Sequence, residues 1–335
     1  MRLVRQALRR LALALVVVWG VTLVTFVVAR LLPGNPVYLI VGNRADEATI
    51  QEAMAQYGFD RPIVEQYFIY MGGLLRGDLG DAWTTSNPVT TDIYERFPAT
   101  LELALVSFVL ALLIAFPLGS LAALKPGTRW DRFARFVSTG GVAVPQFWLG
   151  LMLIYVFFFR LQLFPPPMGR LPLATLPPRF TGLLLIDTLV AGDLSLFWLA
   201  ARTLILPSLT LALAVQAPIL NQIRVSLRAA LDSQPILASR ALGLPRREWI
   251  FRAFWLGFLP VLNIVGISFG FLLGGTVLVE SVFSWPGMGL YALQAMNAND
   301  YAAVQGVVLV SALIYVTLYV GLDLLQLLID PRTRT

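Results

Sequence analysis

The sequence predicts an all-α membrane protein with six transmembrane helices and both termini in the cytoplasm, and three observations carry that prediction. The 335 residues are 58% hydrophobic and only 13% charged, far from the make-up of a soluble domain. Six stretches hold no charged residue: Leu11–Ala29, Leu103–Leu124, Phe136–Phe159, Thr203–Ile223, Ala253–Val279 and Tyr301–Leu322. Each can supply the roughly 20 residues of helix that cross about 30 Å of hydrocarbon, and none alternates with the period of two expected of a barrel strand. The third observation is where the charges lie. With the N-terminus inside, the inner segments collect Arg2, Arg5, Arg9, Arg10, Lys125, Arg129, Arg132, Arg135, Arg224, Arg228, Arg240, Arg246, Arg247, Arg252, Arg332 and Arg334, most of the 25 basic residues. The outer segments collect acids such as Asp46, Glu52, Asp60, Asp78, Asp92, Asp187 and Asp300. This is the positive-inside pattern, so the net charge of +6 reports topology and no nucleic-acid partner is expected.

Taken in order, the first span follows a basic segment like that of a signal peptide. Its apolar run is too long for one and no small-residue cleavage site follows, so it reads as an uncleaved helix. The outer segment 33–100 then carries helix-like stretches at Asp46–Tyr57 and Pro62–Leu75. The latter has Val64, Tyr67, Phe68, Met71 and Leu74 at helical spacing, which predicts a small folded cap. The Pro-rich stretch Pro165–Pro178 lies between spans three and four on the same side. Pro117, Pro145, Pro207 and Pro218 fall inside spans and are candidate kinks. Asp323 stands near the inner end of the sixth span, where an interfacial place or an arginine partner is expected. The whole of 1–335 reads as a single transmembrane domain, with 224–252 as a cytoplasmic loop between spans four and five.

Several chemistries are excluded by residue type. There is no histidine and no cysteine, which removes His-based triads, HExxH zinc sites, thiolate sites and disulfides; no metal site is expected. The lone lysine, Lys125, is preceded by Ser-Leu-Ala-Ala-Leu, so a phosphate-binding GxxxxGK[ST] loop does not exist. Gly287-Met-Gly289-Leu-Tyr-Ala292 fits the GxGxxA dinucleotide pattern but follows Trp285-Pro286 with no strand before it, and reads as a decoy. No catalytic residue is assigned.

The segment of greatest interest is Ser233–Pro260. Ser233 suits a helix N-cap, Pro235 a first turn, Gly243 a left-handed C-terminal position, and Pro245 stops continuation. The short helix so defined presents Leu237, Ala238, Ala241 and Leu242 on one side, with Arg240 elsewhere. Small side chains there admit a partner surface close to the backbone, which suits protein docking better than lipid anchoring. Within the spans, Gln146, Gln216, Asn221, Gln222 and Asn263 are polar and belong either to interhelical hydrogen bonds or to the lining of a wet path. The Trp285-Pro286-Gly287-Met-Gly289 turn is a candidate lid at the outer mouth or, equally, a fixed anchor.

Ala238-Ser239-Arg240-Ala241-Leu242-Gly243-Leu244-Pro245 resembles the EAA loop of ABC-transporter permeases, in the variety found in the dipeptide/oligopeptide/nickel group. Other segments resemble that group in order along the chain: Arg30-Leu-Leu-Pro-Gly-Asn-Pro36, Tyr57-Gly-Phe-Asp-Arg-Pro62, Leu75-Arg-Gly-Asp-Leu-Gly80, Arg96-Phe-Pro-Ala-Thr-Leu-Glu102, Pro145-Gln-Phe-Trp-Leu-Gly150, Glu280–Gly289, Asp300-Tyr301 and Asp330-Pro-Arg332. The long first outer loop is similar to that of the group's B-type subunit. The chain departs from the pattern at Leu237, where the motif has Glu, at Leu242, where a basic residue is usual, and between Gly243 and Pro260, where the His-Ala-Leu-Arg-Asn pattern is missing.

The resemblance implies a type I ABC importer permease fold in the inner membrane. It also implies a C-type permease partner, one or two P-loop ATPases that bind the ATP and Mg, and an extracytoplasmic substrate-binding protein. Cargo would be di- or oligopeptides, with nickel chelates or oligosaccharides as the alternative. The chain itself would hold no cofactor and hydrolyse nothing, and Leu237–Pro245 would be the coupling helix on which the ATPase docks. A self-contained channel or secondary transporter is the rival, and it lacks the paired membrane carboxylates, filter motif or inverted repeats expected of one.

Overall fold

A computed structural model describes residues 2–31, 46–56, 58, 60–171 and 176–329, and those residues are overwhelmingly helical. Of the motifs above, Leu32–Pro36, Tyr57, Phe59 and Asp330–Arg332 lie outside the described residues, as does 172–175 of the Pro-rich stretch. In chain order the elements are α1 (Arg2–Leu31), α2 (Glu47–Gln56), α3 (Ile63–Leu75), β1 (Asp81–Ala82), β2 (Asn87–Pro88), α4 (Val89–Leu124), α5 (Arg129–Ala143) and α6 (Gln146–Leu153). A π-helical turn (Ile154–Arg160) follows, then α7 (Leu184–Val190), α8 (Leu194–Leu231), α9 (Gln234–Ala241), α10 (Arg246–Gly275), α11 (Val277–Val282), α12 (Met288–Asn297) and α13 (Tyr301–Ile329).

Among the described residues five helices are long and apolar enough to cross a membrane: Leu8–Arg30 within α1, then α4, α8, α10, and Tyr301–Leu325 within α13. A sixth span is reached if α5 and the segment Gln146–Arg160 count as one, and these are bent by 107°. The continuous helix expected over Phe136–Phe159 is therefore broken. Pro145 is the cause, since it disfavours helical backbone at the residue before it and has no amide to donate. Val144 accordingly takes an extended conformation, φ −94° and ψ 124°. Pro207 and Pro218, by contrast, sit inside a continuous α8. The window Ala253–Val279 also ends early, because α10 stops at Gly275 and the chain restarts as α11.

The chain divides into two compact units. The first comprises residues up to Pro98 together with Pro286–Val320. Its core gathers Ala82, Val89, Ile93, Met288, Tyr291, Ala295, Ala303 and Val307. Two buried carboxylates tie its loops down. Asp92 accepts from the Tyr291 hydroxyl at 2.8 Å and from Thr85, while Arg96 stacks on the Tyr291 ring at 4.6 Å. Burial, and then the Asp92 carboxylate, push the Tyr291 hydroxyl well above its ordinary pKa. Asp300 accepts from the Thr84 amide and hydroxyl, each at 2.9 Å, and from the Ala303 amide at 3.2 Å, which makes it the N-cap of α13.

Within the same unit α3 forms where expected but is turned about its axis: of the five spaced apolar positions Tyr67 is buried and Met71 and Leu74 are half-buried, while two face out. Gln66 and Tyr67 are buried, whereas Val64 and Phe68 are each 68% exposed. The Tyr67 hydroxyl shares a 3.0 Å hydrogen bond with Thr22 of α1, and Phe26 packs its ring edge-on to Tyr67 and stacked on Tyr70.

The second unit runs from Ala99 to Trp285 and resumes at Gly321. Helix α8 is its axis, with α5 and α10 laid along it. Approach is close because glycines face α8: a Cβ on Gly119 of α4 would meet the Leu220 carbonyl at 2.9 Å, one on Gly257 the Ser226 carbonyl at 3.1 Å, and one on Gly141 would collide with the Leu213 carbonyl. Outside the spans, Asp187 closes a loop by accepting from the Thr181 amide and hydroxyl and the Gly182 amide at 2.7–2.9 Å. Glu102 receives the Leu185 amide at 2.7 Å and the Arg170 guanidinium.

Burial alone would raise the Asp187 carboxyl, but the bonds from Thr181, Gly182 and Phe180 outweigh it and hold the pKa below the usual carboxylate range. A depressed carboxylate contributes stability above its unfolded pKa and loses it as pH falls through the folded one. The melting-temperature gap between the native chain and Asp187→Asn should therefore be largest near neutral pH and shrink on acidification, which a detergent melting series checks.

Candidate functional site

Two features of the second unit bear the residues singled out from the sequence: the loop between α8 and α10, and a cleft at the bend between α5 and α6.

In the loop, α9 forms as expected, and Pro235 occupies its first turn. Ser233 stands at the N-cap with extended backbone, but its hydroxyl donates back to the Ala230 carbonyl at 2.6 Å instead of capping α9. The helix closes at Ala241, with Leu242 as C-cap. Gly243 then has φ +75°, its amide donates to the Arg240 carbonyl at 3.0 Å, and the Leu244 amide reaches the Ser239 carbonyl at 3.2 Å. That pair of bonds is a Schellman motif, which satisfies carbonyls the helix end would otherwise leave open and requires a left-handed residue where Gly243 stands. Pro245 begins α10.

One face of α9 is seated. Ile236 is 1% exposed and joins Ala123, Leu227, Ala230, Leu231 and Ala253 in a cluster that takes in the ends of α4, α8 and α10. Ser239 is also buried and donates to the Pro235 carbonyl at 2.8 Å. Arg240 lies over the Trp249 ring at 4.2 Å, a cation–π contact that ties α9 to α10. The opposite face, Leu237, Ala238, Ala241 and Leu242, points outward, with Leu242 81% exposed. This is the face the sequence picked out. Ser239, counted with the docking residues from the sequence, lies on the seated side instead. Ile236 and Trp249 were not picked out, although an isoleucine one position before that face is the signal that the helix has a second, anchored side.

The cleft has a volume of about 660 Å³ and lies where Val144 and Pro145 open the bend against α8 and α10. Gln146 and Asn221 line it, with Ser138, Ser268 and Phe271; among the described residues no Asp, Glu, Lys or Arg does. The other polar candidates are placed differently. Gln216 is fully buried and its amide donates to the carbonyls of Val137 and Leu213, each at 3.2 Å, so it staples α5 to α8. Gln222 donates to the Ser226 hydroxyl at 2.8 Å, and Asn263 is exposed on α10 outside the cleft lining. At the far end of α5, Asp131 receives Arg224 of α8 at 2.8 Å and Arg135 at 3.3 Å.

The Trp285–Gly289 turn is held at its tryptophan. Trp285 is 1% exposed, and its indole N–H donates to the Ala99 carbonyl at 2.9 Å. Nearby Glu280, fully buried, accepts from Thr100 and Thr276, each at 2.8 Å. Pro286 is exposed, Gly287 is the N-cap of α12 and Gly289 is buried within its first turn. No strand precedes Gly287, so the GxGxxA pattern lacks the context of a dinucleotide site.

A family model described as binding-protein-dependent transport system inner membrane component matches residues 115–335, and the companion model for the N-terminal part of such components matches residues 3–104. The chain belongs to this family. It is 40% identical to the "Probable D,D-dipeptide transport system permease protein" of Escherichia coli strain K12 over 94% of this chain and 93% of that one. It is 39% identical to the "Di/tripeptide transport system permease protein" of Pseudomonas aeruginosa over 97% of both chains. A third relative, the "Dipeptide transport system permease protein" of Alkalihalophilus pseudofirmus, is 36% identical over 98% of both. As an inner membrane component, the chain is a multi-pass membrane protein, in keeping with its apolar helices.

In this inner membrane component the Gly243 backbone is the testable element of the loop. Gly243→Ala has open space for its methyl group but must hold a left-handed conformation, at a cost of about 1–2 kcal/mol. Hydrogen exchange of the Leu244 and Gly243 amides should rise in that variant while exchange in α8 stays unchanged.

Proposed function

We propose that this chain is the B-type transmembrane subunit of an ATP-driven importer of di- and oligopeptides. On this reading it is one transmembrane domain of six spans with both termini in the cytoplasm, 33–100 outside and 224–252 inside. Counting α5 and Gln146–Arg160 as one bent span gives the sixth. The observation that carries the reading is α9: a helix seated on its Ile236 side and locked by a Schellman turn, with Leu237, Ala238, Ala241 and Leu242 left outward. A short helix fixed at one face and open at the other suits a rigid contact with a moving partner, here a cytoplasmic ATPase that holds the ATP and Mg. The permease is then non-catalytic. A second, C-type permease completes the path, and an extracytoplasmic binding protein delivers the cargo.

The cleft beside Gln146 and Asn221 is this subunit's share of the path. Its lining without charge suits cargo whose own charges vary, as those of peptides do. The relatives' names favour peptides over nickel chelates or oligosaccharides as the cargo. Trp285, bonded to Ala99, acts as an anchor for the outer turn.

The test is to purify the tagged chain from its native membrane in mild detergent and identify its companions by mass spectrometry. A second permease and one or two P-loop ATPases are expected. Recovery of the chain alone, active in liposomes without ATP, overturns the reading. Leu242→Glu, which puts a charge on the outward face of α9, should lower ATPase recovery by about tenfold, the equivalent of about 1.4 kcal/mol of lost contact.

A further inference from the structure

Helix α3 leaves much of its apolar surface outside the protein. Its inward residues are Gln66, Tyr67, Tyr70, Met71 and Leu74; Gln66 donates to the Arg61 carbonyl at 2.8 Å and the Tyr67 hydroxyl meets Thr22 at 3.0 Å. Its outward residues include Ile63, Val64, Phe68, Ile69 and Leu75, exposed by 58, 68, 68, 53 and 84%. Val64, Phe68 and Leu75 recur at helical spacing on one stripe. Isolated apolar side chains on a surface need no explanation, but a stripe of them along a helix does; Glu65, exposed beside this stripe, is paired with Arg61.

What covers the face follows from where α3 is held. Its partners on α1 are Thr22 and Phe26, both inside the charge-free run Leu11–Ala29. Thr22 precedes Arg30, the first charge after that run, by eight residues, about 12 Å of helix at 1.5 Å per residue. A hydrocarbon half-layer is about 15 Å deep, so α3 touches α1 at a level still within it. Helical backbone needs no water there, because its amides are satisfied internally. The ends of α3 fit the same level: Arg61, paired with Glu65 at 2.8 Å, precedes it and exposed Arg76 follows it, while the Arg30 guanidinium lies 5.2 Å from the Phe26 ring. Long arginine stems let charged heads reach phosphates while the helix between them stays in apolar surroundings.

We propose that α3 is an interfacial membrane helix that does not cross the bilayer, lying in the leaflet at the Arg30 end of α1 with Val64, Phe68 and Leu75 among the acyl chains. The segment between α1 and β1 is then partly a lipid-binding element that braces α1 from the side. This holds whichever cargo the protein carries, and the experiment does not depend on transport.

Because the chain has no cysteine, single probes can be placed in the otherwise native sequence. Val64→Cys, Phe68→Cys and Leu75→Cys, each labelled with an environment-sensitive fluorophore, are reconstituted with the co-purifying subunits into phospholipid vesicles. Leu15→Cys on α1, 71% exposed, is the membrane reference, and Asp232→Cys, on an exposed residue between helices, is the aqueous one. The expected result is blue-shifted emission, loss of intensity in vesicles of brominated phospholipid matching that at Leu15→Cys, and little loss with iodide. Quenching by iodide with none by brominated lipid places α3 in water and overturns the proposal. Protection from both quenchers means that protein covers the stripe and overturns it equally. Three separate positions guard against one substitution that disturbs folding.

Discussion

At Gly119, Gly141 and Gly257 a neighbouring helix comes so near α8 that a methyl group would press on a backbone carbonyl. Lipid tails are as apolar as leucine, so helices in a bilayer gain little from hiding apolar surface from one another. They gain from packing density and from hydrogen bonds made across the contact. Close approach of α5 to α8 brings the carbonyl of Val137 within 3.2 Å of the Gln216 amide and that of Ala217 within 3.4 Å of the Ser138 hydroxyl. The Asp131–Arg224 pair closes the same seam at its other end. With α5 fixed to α8 in this way, the bend at Val144 and Pro145 leaves a cleft that α5, α8 and α10 line together.

The sequence announced the spans well because absence of charge over some twenty residues is a condition the membrane itself imposes. It was less informative where a second condition acted on the same residues. Phe136–Phe159 is free of charge and so reads as one span with Pro145 as a candidate kink, and there Pro145 breaks the helix. Pro218 looks identical in a sequence and leaves α8 continuous, because the flanking turns are packed against α5 and α10 and hold the helix across the missing bond. Proline identity alone does not distinguish these outcomes; the packing around it does.

The loop around α9 was legible for the opposite reason. Its geometry is set by local chemistry: a proline at the start, a glycine where the backbone must turn left-handed, a proline to stop. Those signals fixed the outward face through helical periodicity alone. The seated face depends on Ile236 meeting residues from α4, α8 and α10, far apart in sequence, and no local rule reveals such a meeting. Polar residues in the spans were hard to sort for the same reason. Gln146 and Gln216 are alike in type and surroundings along the chain, but one lines the cleft and the other staples two helices. For α3, the periodicity was right but only part of its face packs inward, Tyr67 being buried while Val64 and Phe68 are not, since spacing shows that a helix has an apolar face without saying which of its residues the protein receives.

The two parts of the proposed site are joined by continuous helix. Asn221 lines the cleft and Leu231 packs on Ile236 of α9, and both lie on α8, ten residues and about 15 Å apart. Trp249, stacked under Arg240, and Ile264, beside the cleft, both lie on α10. A partner that displaces α9 therefore pushes on two helices that each line the cleft. Packed helices of this kind move as rigid bodies because their cores do not deform continuously. If α9 were held only by its peptide links, the same push would be absorbed in the loop. The cation–π contact, the buried Ile236 and the left-handed Gly243 remove that slack, and through them a force on an eight-residue helix can reach the lining at Asn221 and Ile264.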